Sequence, residues 1–233
     1  PPGREGGVRR SVLAEVKSDS LRAQVSPLGS LYLERRSTKG ARVMLAAHLD
    51  EVGLIVSHVD RYGIAWLHPA GKVQAAECSG AGLRFAHGAL AVLGCAATSS
   101  PAEQPPRLLA DFGARLPAPS VRTGSMGVFA TSWQVERGLV RGKALDSRVG
   151  VALALHAARR TRKAAHSLVL ALTTLGQVRQ RAARAAADEL APDWILTLGV
   201  LMLSGRREPE ATLAHSGRGP AIVVRAPRFV ADA

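Results

Sequence analysis

Two short stretches carry residue types that could do chemistry. The first is His48-Leu49-Asp50-Glu51-Val52-Gly53, directly after the apolar run Ala41–His48. A histidine at the end of a buried strand can bind a metal ion. An aspartate two residues on lies on the same side of an extended chain. It can accept the second ring proton and fix the tautomer. Ordinary polar residues at a strand end would read the same way. The second stretch is Gly142–Gly150, in which Asp146 stands just before a helix. Asp146 could be a metal ligand, or a cap or first-turn acid that favours the helix N-terminus.

These stretches need elements to position them. Val8–Val16 reads as a helix. Leu21–Arg35 reads as two strands around Ser26-Pro27-Leu28-Gly29. Ala41–His48 is a short buried strand, and Leu54–Val59 and Gly63–Leu67 are two more. Residues 68 to 140 are rich in glycine, proline and short β-type runs such as Leu90–Leu93 and Gly127–Val135, with a proline-bearing loop at Pro101–Pro106. They read as a small β domain. Helix and strand then alternate: Val149–Arg160 helix, Ser167–Thr174 strand, Val178–Leu190 helix, Trp194–Leu203 strand, Pro220–Val224 strand. The expected fold is α/β, a mixed sheet with helices on its faces and an inserted β module. The expected segments are 1–67, 68–140 and 141–233.

Composition narrows the function classes. The 233 residues are 47% hydrophobic but only 4% aromatic, so alanine, leucine and valine must fill the core. Two cysteines, Cys78 and Cys95, exclude a disulfide framework and a four-cysteine zinc site. The apolar run Leu168–Val178 is far short of the roughly 20 residues a membrane span needs. No basic and apolar leader opens the chain, so the expected setting is a reducing cytoplasm. The net charge is +13. That charge is spread along the chain and has no interleaved aromatics to stack bases, which argues against nucleic acid as the partner. The dense Arg159–Lys163 cluster ends a helix, where cations suit the dipole.

Taken in order, the motifs resemble the dinuclear metallo-aminopeptidase family of glutamyl aminopeptidases, deblocking (tetrahedral) aminopeptidases and CelM-like proteins. The resemblance rests on Pro1–Glu5, Val43–Val56, Asp111–Ala114, Gly142–Gly150, Pro192-Asp193-Trp194 and Gly217–Ile222. It implies a peptidase domain with an inserted β-barrel and two divalent metals, zinc or cobalt. It also implies peptide substrates and homo-oligomers formed through the insert. His48 would hold one metal, Asp146 would bridge both, and Asp50 would orient His48. A carboxylate bridging two cations holds them across one water, which becomes a hydroxide nucleophile near neutral pH.

The family pattern breaks at three positions. Two adjacent glutamates belong after the Ser167–Thr174 strand, and this chain has Gly176 at the general-base position and Gln177 at the ligand position. Gly199 stands where a further aspartate ligand belongs, and the C-terminal histidine motif is not found before Ala233. His58, His68, His87, His156, His166 and His215 occupy no family ligand position. The expectation is therefore a chain impaired or inactive in catalysis. The alternatives are an active metal-dependent aminopeptidase with a rebuilt or partner-completed site, and a basic binding protein. Missing later strands would also leave Ser167–Thr174 partly uncovered, as an edge that self-associates.

Overall fold

The computed structural model describes residues 1–73, 78–96, 107–113, 121–163, 165–178, 181–200, 219–221, 225–226 and 229–230. The chain divides into two compact units, Pro1–Gly199 and Val200–Ala233.

The first unit holds a five-stranded mixed sheet and a closed barrel; the barrel is what the family resemblance implied. The sheet contains β1 (Arg22–Val25), β2 (Leu31–Arg35), β3 (Arg42–His48), β12 (Ser167–Thr173) and β13 (Trp194–Thr197). Their order is β1-β2-β12-β3-β13. β12 runs antiparallel to β2 and parallel to β3, and β13 runs parallel to β3. Three strands therefore end at the same margin, where ligands gather in open α/β sheets.

Both faces of this sheet are covered, which explains why β12 is apolar throughout. Leu168, Leu170 and Leu172 share one cluster with Val12 of α1 (Gly6–Glu15) and with Val151, Ala154 and Leu155 of α2 (Leu145–Arg160). Val169 and Ala171 point the other way, into a cluster with Ala186 and Leu190 of α3 (Arg181–Leu190). The period-two alternation of a strand thus feeds two cores at once. Gly150 lets α2 approach the end of β13: a Cβ there would stand 2.7 Å from the Leu198 carbonyl oxygen.

The barrel closes in the order β4-β5-β8-β7-β6-β9. Its strands are β4 (Gly53–Val59), β5 (Ala65–Ala70), β6 (Gly82–Phe85), β7 (Leu90–Cys95), β8 (Leu108–Asp111) and β9 (Met126–Phe129). Leu54, Val56, Leu67, Leu83, Leu93 and Leu108 fill it. A separate hairpin follows, β10 (Gln134–Glu136) with β11 (Leu139–Arg141). Of the second unit, β14 (Arg225–Ala226) and β15 (Phe229–Val230) are described, as an antiparallel pair.

Several expectations are corrected. β4 and β5, set before residue 68 by the sequence reading, pair with barrel strands rather than with the sheet. The Gly127–Val135 run is divided between β9 and β10. The Ser167–Thr174 strand is no edge: β2 and β3 flank it, and residues 168–173 are buried. Among the described residues the margins of the sheet are β1 and β13, and all four residues of each are exposed. β13 ends at Thr197, short of the expected Leu203, and residues 201–203 lie outside the described residues. The Pro101–Pro106 loop, His215 and the Ile222–Val224 part of the last expected strand also lie outside them.

Candidate functional site

The parallel strands deliver the candidate residues together. His48 ends β3 in register with Thr173 of β12, and the Leu49 N–H donates to the Thr173 carbonyl at 2.7 Å. The chain then crosses residues 49–52 and enters β4, so the stretch joins the sheet to the barrel.

Asp50 is the centre of the arrangement. It is 1% exposed. His48 Nδ1 lies 3.2 Å from Asp50 Oδ1. The Gly176 N–H donates to the same oxygen at 2.8 Å, and the Gln177 N–H donates to Oδ2 at 2.8 Å. One carboxylate thus ties the β3 end to the turn after β12. Burial alone would raise the Asp50 carboxyl, but the His48 bond and the two backbone N–H groups outweigh it and hold it below its usual range. Burial likewise works to lower His48. The Asp50 bond, the Asp50 charge and the Asp146 charge prevail and raise it. Asp50 therefore fixes Nδ1 as the protonated nitrogen and leaves Nε2 as the free one.

Asp146 lies within the first turn of α2, because the helix begins at Leu145 rather than after the aspartate. Its side chain makes no capping bond there. It accepts instead from Gln177 Nε2 at 2.7 Å. Asp146 also lines a cleft of about 430 Å³ with Glu51, Lys72, Cys78 and Lys143. Gly176 is enclosed: a Cβ would stand 2.3 Å from His48 Cβ and 3.0 Å from Asp50 Oδ1. Gly199 is exposed, with open space where its Cβ would stand. The structure thus gathers His48, Asp50, Asp146, Gly176 and Gln177, and Gly199 offers no side chain to them.

Two acids escaped the sequence reading as site components. Glu51 pairs with Lys143 at 3.1 Å and lies 3.9 Å from Arg148. Arg148 also donates to the Leu49 carbonyl. Glu5 is buried, accepts from the Gly3 N–H at 2.9 Å and from the Leu175 N–H at 3.2 Å, and so braces the turn. Both lay inside quoted motifs, but a charge alone did not reveal its partner.

The donor set decides what the site can hold. Among the described residues, no three His, Cys, Asp or Glu side chains converge to hold a metal ion. His48 and Asp146 offer one nitrogen and one carboxylate. Gln177 turns an N–H donor, not a charged ligand, toward Asp146. Zinc normally keeps at least about three protein ligands. The described residues do not fit a two-metal centre.

Residues 29–233 match the family model described as M42 glutamyl aminopeptidase. The chain belongs to this family. M42 members are metal-dependent aminopeptidases. A relative from Acetivibrio thermocellus, provisionally named an aminopeptidase, is 28% identical across 96% of this chain and 69% of its own length. The solved structure of aminopeptidase APDkam598 from Desulfurococcus kamchatkensis is 27% identical, with a TM-score of 0.82, covering 95% of this chain and 65% of that one. The TET1 peptidase of Pyrococcus horikoshii, which can assemble into a tetrahedron or a large octahedral shell, shares the fold. It has a TM-score of 0.72 at 20% identity, over 85% of this chain and 64% of that one. The chain spans about two thirds of the length of these M42 relatives.

Proposed function

We propose that this chain carries the M42 peptidase scaffold with peptide hydrolysis impaired or lost. One observation carries the reading: the base position, Gly176, has neither an acid nor room for one, because His48 packs against it. The loss of a positioned general base costs about 10²–10⁴ in rate. The Gln177 amide on Asp146 supports the same conclusion, since it presents hydrogen toward the carboxylate that would bridge two metals. Asp50 then acts as a positioning residue for His48, and His48 and Asp146 remain as weak metal contacts. Zinc and cobalt are the ions the site's ancestry suggests.

On this reading the barrel is the inserted domain, and the peptidase-like segments flank it in sequence. The domain limits 1–67, 68–140 and 141–233 are proposed with the first boundary moved back to β4. Peptides are the proposed ligands, and a homo-oligomer through the insert is the proposed assembly. No described helix is long and apolar enough to cross a membrane. We place the chain in the cytoplasm as part of the same proposal.

A panel of aminoacyl chromogenic substrates tests it, with zinc or cobalt added and with a chelator as control. In a folded sample, the expected result is background turnover that the chelator does not change. Chelator-sensitive turnover that falls in His48→Ala and Asp146→Ala variants would overturn the proposal in favour of a completed, active site.

A further inference from the structure

A second cavity, of about 860 Å³, shares no lining residue with the cleft beside Asp146. Three arginines line it, each from a different segment, and no carboxylate does. Arg4 comes from the N-terminal segment, Arg84 from β6, and Arg122 from the turn before β9. That turn is fixed by its own bonds. The Arg122 N–H donates to Ser125 Oγ at 2.9 Å, the Ser125 N–H to the Arg122 carbonyl at 2.8 Å, and the Gly124 N–H to the Val56 carbonyl at 2.8 Å. β6 and β9 are paired neighbours, with Arg84 opposite Val128. Two of the guanidinium groups therefore spring from a rigid part of the barrel.

Several arginines elsewhere on the chain are ion-paired. Arg42 pairs with Glu34, Arg148 with Glu51, and Arg159 and Arg162 both pair with Asp19. Among the described residues, Arg4, Arg84 and Arg122 form no ion pair. Three like charges around one cavity repel each other until a multivalent anion enters. Planar guanidinium forks suit the oxygens of phosphate in bidentate pairs. The cavity has no free aromatic face on which a base could stack. Phe85 is 3% exposed and packs against Phe112. We propose that this cavity binds a small polyanion bearing two or more phosphate groups, recognised through its phosphates.

Calorimetric titration of the whole chain tests this with inorganic tripolyphosphate, ATP and a glutamate-rich hexapeptide. Tripolyphosphate is expected to bind at one site per chain. The double variant Arg84→Ala/Arg122→Ala should weaken it about 100-fold, tenfold for each arginine. The double variant Arg22→Ala/Arg61→Ala removes the same charge from other exposed positions and should change it by less than about threefold. Both variants should melt like the parent chain. Tighter binding of ATP than of tripolyphosphate would assign the phosphates to a nucleotide; equal or weaker binding would assign them to a free polyphosphate. The proposal is overturned if millimolar tripolyphosphate shows no saturation. Equal weakening in the two double variants, or tight binding of the acidic peptide alone, would also overturn it.

Discussion

Replacing Asp50 with alanine is expected to lower the unfolding free energy by about 3–5 kcal/mol, the cost of breaking a buried, hydrogen-bonded charge pair. The carboxylate is 1% exposed and serves three donors at once. Its removal strands the Gly176 and Gln177 N–H groups and leaves His48 Nδ1 without its partner. Each stranded buried donor costs about 1–3 kcal/mol, and the terms are not additive because the turn can relax toward water. Asp50→Asn keeps the volume and one acceptor oxygen. It should fall between the parent and the alanine variant. Urea unfolding of the three proteins measures the order. A loss below about 1 kcal/mol for Asp50→Ala would show that the turn after β12 is held instead by Glu5 and by Thr174, whose N–H donates to Ser30 Oγ and whose hydroxyl donates to the Leu28 carbonyl.

The same pair sets a pH window. Asp50 is held below its ordinary value of 3.8, so its contribution is present above that pH. It is lost as pH falls through the lowered folded value. His48 is raised above its ordinary 6.5, so its contribution is fully present below that pH and is lost as pH rises through the raised folded value. Stability from the pair is therefore greatest between these limits and declines on both sides. Because the groups are coupled, the titration belongs to the pair rather than to either residue. Thermal melting across this range should show the plateau in the parent chain and a flatter profile in Asp50→Asn. An unchanged profile in the variant would assign the pH dependence to other groups, such as Asp19 beside Arg159 and Arg162.

How far the sequence could be read depends on what kind of fact each residue encodes. Within the runs Ala41–His48 and Ser167–Thr174, Val43–Ala47 and Leu168–Leu172 are apolar without interruption, which marks strands covered on both faces, and β3 and β12 are such strands. Their ends carry the polar motifs, so the site's margin was legible. The partner of a strand was not. Leu54–Val59 reads the same in a sheet or a barrel, because an apolar period of two says nothing about which neighbour takes the hydrogen bonds. The edge of the sheet was misjudged for the same reason: register is a property of pairs, and Ser167–Thr174 lies between two of them. At the site, His48 and Asp50 were legible because their side chains carry the chemistry. The donors from Gly176 and Gln177 to Asp50 were not, since every residue but proline has a backbone N–H. Gly176 was readable only as a missing acid. That it is also the space against which His48 packs is a fact of three dimensions.

That space makes Gly176→Glu an informative substitution. It adds the acid that the family resemblance implies at this position, yet it is expected neither to raise hydrolysis above background nor to leave the fold intact. The first carbon of any side chain at position 176 would stand 2.3 Å from His48 Cβ and 2.6 Å from His48 Cγ. Real carbons do not approach so closely, and both of these atoms belong to the root of the His48 side chain, which cannot swing away as a flexible tip could. Either β3 or the turn must shift, and each is anchored to Asp50. Overpacking of this kind costs about 1–3 kcal/mol, occasionally more. Gly176→Ala isolates the steric part, because it adds the carbon without the charge. If the alanine and glutamate variants lose the same stability, the obstacle is space; a larger loss for glutamate adds the burden of a carboxylate beside Asp50. A Gly176→Glu protein as stable as the parent, with metal-dependent turnover, would mean that His48 yields readily and that the missing acid alone silences the site. On the proposed reading the expected outcome is the opposite: the glycine is part of how His48 is held, so adding one acid is expected to leave hydrolysis at background unless the pocket around it is reopened.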